Sequence, residues 1–203
     1  MTTTPFRIPT TVMQISVPND ITGIDSIPWK NLEYITSKDS YAISAKPLYT
    51  ISGLWMEKFL SSTSILYLTG FNFPDIQQVV AGIELQLHIL RSARIEDLVI
   101  QLTDGGLDLN GMPIMIGENL ASTVNPVQSN MYTGDYMDGP VPPQPIGDYN
   151  IYGGATNMWG ATLSSADIAS PTFGVVISFK SNQIYPHTDL AYVNQVALRI
   201  TYA

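Results

Sequence analysis

The sequence predicts an all-β chain: an antiparallel β-sandwich, jelly-roll-like, with an extended N-terminal arm and one long Pro/Gly-rich loop. Three observations carry that expectation. Apolar and polar residues alternate over 83–89, 95–102, 175–179 and 196–202, the period-two mark of a strand with one face in a core. Clusters of Gly, Pro, Asn and Asp separate these runs, as turns do in sandwiches. No segment carries a sustained i, i+3, i+4, i+7 apolar stripe, so helix is confined to short turns. Alternation assigns faces and leaves topology open, so a jelly roll is one arrangement among several.

Residues 1–26 read as the arm. Pro5, Pro9 and Pro18 interrupt it, and Pro withholds a ladder donor. Within it, Val12, Gln14 and Ser16 alternate with Met13, Ile15 and Val17, enough for one short strand. Two destinations are open to the arm: a neighbouring subunit, or a return onto its own domain. Residues 27–203 read as a single sandwich domain. Its first strands fall in 41–49, which alternates loosely, and in ILYLTGFNF at 65–73, rich in aromatic and β-branched residues. In 83–89 the apolar set is Ile83, Leu85, Leu87 and Ile89, with His88 outward. In 95–102 it is Leu98, Ile100 and Leu102. Residues 91–94 between them suit a hairpin turn.

Alternation fades over about 104–154, which contains GGLDLNG and DGPVPPQPIGD. Loops of that length are commonly functional or interaction loops. Pro140, Pro142, Pro143 and Pro145 favour an extended polyproline conformation there. The stretch NMWGATLSSADIASPTFGVVISF at 157–179 reads differently. Ser164 followed by Asp167 resembles a capping box at a helix start, and Pro171 forbids a long helix. The stretch is therefore a corner. Trp159 with Gly160 plugs one end of the sandwich, a single helical turn follows, and a strand begins near Phe173.

The search for chemistry yields little. The chain has 203 residues, no Cys, 9 basic and 17 acidic residues, and a net charge of −8. Zero Cys removes disulfides and thiol chemistry. The acidic balance opposes nucleic-acid and anionic-membrane partners, which need Lys and Arg. Charged residues are 13 % of the chain against 45 % hydrophobic, a balance that suits either surface buried against other chains or a compact β domain with a Ser/Thr/Asn surface. MTTTPFRIPTT lacks the basic start and apolar run of a signal peptide. No run approaches the roughly 18 apolar residues of a membrane span. His88 and His187 stand apart, without the clustered ligands of a metal site. DGGLDLNG fails as a calcium loop. Counted from Asp104, the third and sixth positions are Gly106 and Leu109, and counted from Asp108 the fifth is Met112. Turn chemistry accounts for its Gly, Asp and Asn. G-x-S-x-G, G-x-G-x-x-G and P-loop motifs are absent. Glu96 and Asp97 are adjacent and would point to opposite faces of a strand, so no carboxylate pair marks a glycosidase. The expectation is a non-enzyme with no cofactor and no metal.

The corner also carries a resemblance. WGATLSSADIASPTFGVVISF resembles a recurring β-sandwich module of tailed-bacteriophage virion structural proteins. That module reads "YGGSTDLWG…(T)PADINSSNFGVALSA" and closes on a strand like "AYVDHIRITVYY". The matching residues are Tyr152-Gly153-Gly154, Asn157-Met158-Trp159-Gly160, Ser165-Ala166-Asp167-Ile168 and Phe173-Gly174-Val175. The close matches Ala191-Tyr192-Val193 and Arg199-Ile200-Thr201-Tyr202. Upstream, IPWKNLEYITSKDSYA and TSILYLTGFNFPDIQQVVAGIELQLHI resemble the module's opening and its first strands. The likeness spans roughly 27–203. It departs at IQLTDGG and in the longer, Pro-rich 111–148.

The resemblance implies a structural protein of a tailed-phage virion: a head decoration, neck, tail or fibre component working by protein–protein docking. Its partners would be other virion proteins and copies of itself. It would be made in the host bacterial cytoplasm and end in the virion. The residues expected at interfaces are Phe6, Ile8 and Val12 of the arm, Trp55, and Tyr132, Tyr136, Pro142 and Pro143 of the loop. The family brings no catalytic residues. An alternative is a receptor- or carbohydrate-binding module of a tail fibre or spike, with a host surface glycan as partner. Two or three exposed aromatics beside Asp, Asn or Gln would mark it.

Overall fold

A computed structural model describes residues 1–17, 26, 28–30, 32–36, 43–45, 62–91, 95–122, 149–181 and 191–203. The chain is an all-β sandwich of two antiparallel sheets. In the first, β1 (Thr2–Thr3) and β3 (Ile43–Ala45) both lie on β10 (Ala191–Tyr202), which pairs in turn with β5 (Val80–Arg91), and β5 with β8 (Tyr149–Gly154). The second has the order β2 (Thr11–Ile15), β4 (Ile65–Thr69), β9 (Gly174–Ser181), β6 (Ile95–Leu107), β7 (Pro113–Ile116). Among the described residues, helix is limited to α1 (Ser165–Ala169) and a 3-10 turn at Leu32–Thr36.

The pairings β3–β10, β4–β9, β5–β8 and β6–β7 nest inside one another. That is the pattern of one long hairpin rolled over into two layers, with β6–β7 at its turn. It overturns the expected hairpin between 83–89 and 95–102. Those strands, β5 and β6, belong to different sheets, so the chain crosses between layers there. Alternation tells a strand which face is buried and is silent on its neighbour.

Inward residues of both layers form one core. Leu85, Leu87, Val196, Leu198 and Ile200 of the first sheet meet Leu66, Leu68, Ile100, Leu102, Val175 and Ile177 of the second. Trp29 packs edge-on against Phe179 at 5.9 Å and donates its indole N–H to the Ser64 carbonyl at 2.8 Å. All of β4 is buried, because its other face is covered as well. Ile65, Tyr67 and Val176 form a smaller cluster there with Ile15, Val17, Val99 and Met112.

Two face assignments change. Leu98 is 38 % exposed, because a β-bulge falls between Asp97 and Val99. An extra residue in one strand reverses the phase, so Asp97 points inward and accepts from the Tyr152 hydroxyl at 2.7 Å across the sandwich. His88 has the outward phase expected of it, yet it is only 5 % exposed. Its ring lies 4.8 Å from that of Tyr149 on the neighbouring strand.

Of its two destinations, the N-terminal segment takes its own domain. Thr2 and Thr3 pair with Tyr202 and Thr201, and Arg7 exchanges two 2.8 Å backbone bonds with Leu198. The chain then crosses to the second sheet. Thr10 donates its N–H to the Thr69 carbonyl at 3.1 Å, and β2 pairs along β4. Residues 1–15 are thus extended, as expected, but they are edge strands strapping both layers. An unpaired strand edge is a costly row of open donors and acceptors, and the segment closes two of them.

The corner is built as the sequence indicates. Ser164 caps α1, with its hydroxyl accepting from the Asp167 N–H at 3.2 Å while the Asp167 carboxylate accepts from the Ser164 N–H at 2.8 Å. Trp159 is fully buried. Its indole N–H reaches the Ile83 carbonyl at 2.9 Å, its own N–H is capped by the Asn157 side chain at 2.7 Å, and its carbonyl accepts from the Glu118 N–H at 2.6 Å. Gly153, at φ 75°, lies against this ring; a Cβ there would run into the indole nitrogen and the Ile83 carbonyl oxygen.

Candidate interaction surface

The region expected as one long Pro/Gly-rich loop, about 104–154, is partly ordered strand. Its described residues, 104–122 and 149–154, contain the end of β6, all of β7 and all of β8. The β6–β7 turn is specified by Asp108. Its carboxylate oxygen Oδ1 accepts the N–H groups of Asn110 and Met112, both at 2.8 Å. The Asp108 carbonyl accepts from Gly111 at 3.0 Å, and the Asp108 N–H donates to the Met112 carbonyl at 2.8 Å. Gly111 takes φ 75°, the left-handed residue that a three-residue hairpin loop requires. The carboxylate that a calcium reading would use is thus occupied with backbone amides.

The base of the hairpin is tied down. Thr103 Oγ1 donates to the Ile114 carbonyl at 2.8 Å, and Thr172 of the corner donates to the Asp104 carbonyl at 2.9 Å. The Tyr67 hydroxyl donates to the Gly105 carbonyl at 2.6 Å. Burial, and then the Asp104 charge, push the Tyr67 hydroxyl above its ordinary pKa, so it remains a donor. On this anchored hairpin the apolar side chains Leu107, Ile114 and Met115 are exposed, and Leu109 at the tip is wholly so, at 106 %. Singly exposed apolar residues are unremarkable; here four fall on one hairpin, with Ile114 and Met115, adjacent in β7, on opposite faces of it.

Several of the described carboxylates elsewhere have structural partners. Glu84 receives Arg199 at 2.7 and 2.9 Å, and the Arg199 guanidinium lies 4.5 Å over the Phe6 ring. Glu96 pairs with Lys180 at 3.5 Å. Asp75 accepts from the Ser165 hydroxyl at 2.6 Å. That bond, and then one from the Gln77 N–H, hold its carboxyl below the usual range. Among the described residues, no three His, Asp or Glu side chains gather as a metal-ligand set. Tyr149 is exposed, and its hydroxyl is 3.5 Å from the Gln195 side-chain oxygen.

The expected interface residues divide in two. Phe6, Ile8 and Val12 are half-buried on their own domain: Phe6 beneath Arg199, and Val12 against the main core. Trp55, Tyr132, Tyr136, Pro142 and Pro143 lie outside the described residues, as does His187. The sequence reading missed Leu107, Leu109, Ile114 and Met115. Its available signal was Leu109 itself, an apolar residue between Asp108 and Asn110-Gly111 where turns favour polar ones. No protein-family model, curated protein or solved structure matches this chain.

Proposed function

We propose that this chain is a structural, non-catalytic protein of a tailed-phage virion that acts by docking protein surfaces, as a head decoration, neck, tail or fibre component. The observation that carries the docking part is the β6–β7 hairpin. It holds Leu109 fully in solvent, with Leu107, Ile114 and Met115 also exposed along its two strands, on a base fixed by Thr103 and Thr172. The virion part rests on the sequence resemblance over 27–203. Nested strand pairing supports the jelly-roll-like reading of the sandwich. Its partners are other virion proteins and copies of itself.

The mechanism is apolar burial. Covering a Leu or Ile side chain contributes about 1.5–3 kcal/mol. A stable interface buries about 1,600 Å² in total, so the hairpin is the anchor of a larger contact. Low charge density lowers the desolvation cost around it.

Mass spectrometry of virions from the phage that encodes the chain tests this. Wild-type chain is expected as a stoichiometric component. Leu109→Asp should remain folded by circular dichroism and be depleted from particles. Virions without the wild-type chain would sink the proposal.

A further inference from the structure

We propose that Asn110 is a site of spontaneous covalent modification, cyclising onto the Gly111 amide, and that Asp108 restrains the reaction. This is independent of the docking reading. Asn110-Gly111 is the single Asn-Gly pair in the chain. Both residues are exposed, and a Cβ built on Gly111 would meet nothing within 4 Å. Gly111 thus brings no side chain of its own to crowd the amide nitrogen after Asn110.

In the reaction, the Gly111 nitrogen attacks Cγ of Asn110. A new N–C bond closes a five-membered succinimide, and the bond from Cγ to Nδ2 breaks. The amide proton leaves to a solvent base, and the nitrogen departs as ammonia after taking a proton from water. Water then opens the ring at either carbonyl. One route gives aspartate; the other gives isoaspartate, in which the backbone runs through the side-chain methylene. Water is the only co-reactant, and nothing is oxidised or reduced.

The folded turn opposes the first step. The Gly111 N–H is held by the Asp108 carbonyl at 3.0 Å, and Asp108 Oδ1 pins the N–H groups of Asn110 and Met112 at 2.8 Å each. Closure then proceeds from the locally opened hairpin tip, so its rate follows the opening equilibrium. Asp108 is a positioning residue for this chemistry, acting through the backbone it caps.

The test follows the full-length chain in mildly alkaline buffer by peptide mapping and isoaspartate assay. An isolated 104–116 peptide serves as the unfolded reference. Asn110 should convert before every other Asn, and more slowly than in the peptide. Asp108→Ala removes both side-chain bonds and should raise the rate about thirtyfold, the opening equivalent of two hydrogen bonds of ordinary net strength. Asp108→Asn keeps the acceptor oxygen and should stay near the wild-type rate, which separates lost capping from a damaged fold. First conversion at another Asn, or equal rates in wild type and Asp108→Ala, overturns the proposal.

Discussion

Two turns of this chain each carry a bulky apolar side chain, Trp159 in the corner before α1 and Leu109 at the β6–β7 tip. Trp159 takes φ 57°, a left-handed conformation that costs a non-Gly residue of order 1 kcal/mol or more. It is held there by Asn157, Ile83 and Glu118 and is fully buried. Leu109 has the opposite environment: its turn is fixed by the Asp108 cap and the left-handed Gly111, and its side chain touches solvent. The first is strained because the core requires the ring. The second is unstrained and its side chain is left in solvent, as the docking proposal requires.

The contrast can be broken at either end. Trp159→Ala should lose about 3–5 kcal/mol of unfolding free energy, as large-to-small core changes do; a denaturant midpoint within error of wild type would dissolve the contrast. Next comes the cap beside it. Ser164→Ala should cost about 1 kcal/mol, with a pH signature. The Ser164 hydroxyl, and then its N–H, hold the Asp167 carboxyl below the ordinary range. A depressed pKa stabilises the fold above the unfolded value, near pH 4, and that contribution disappears as acid passes the folded value. The difference between wild type and Ser164→Ala should therefore be full at neutral pH and shrink in acid. The smallest effect is expected at the tip: Leu109→Ser should change stability by no more than about 0.5 kcal/mol, measured by the same denaturation. A large loss there would mean that Leu109 serves the fold.

What the sequence made legible follows from which interactions are local. The corner was readable because a capping box and a helix-stopping Pro act within a few residues of each other. The faces of β5, β9 and β10 were readable because alternation is local too. Strand partners were not: the β5–β8 pairing joins Leu85 to Tyr152 and β10–β5 joins Val196 to Leu87, and no short-range pattern encodes either. The bulge at Leu98 escaped because an alternating run looks the same with or without an inserted residue until its partner is known. His88 escaped because its cover, Tyr149, comes from a distant strand. The exposed hairpin was hidden by its own good turn chemistry, which drew attention to Asp108 and Gly111 and away from Leu109.

Thr3 Oγ1 lies 3.2 Å from Thr201 Oγ1, 198 positions away along the chain, and this sets an order on assembly. β1 has nowhere to dock until β10 exists to receive it, because β10 is its one strand partner among the described residues. Pairing across such sequence distances is slow. Any chain lacking β10 would strand β1, β3 and β5 together, so the first sheet closes as a unit or stays open.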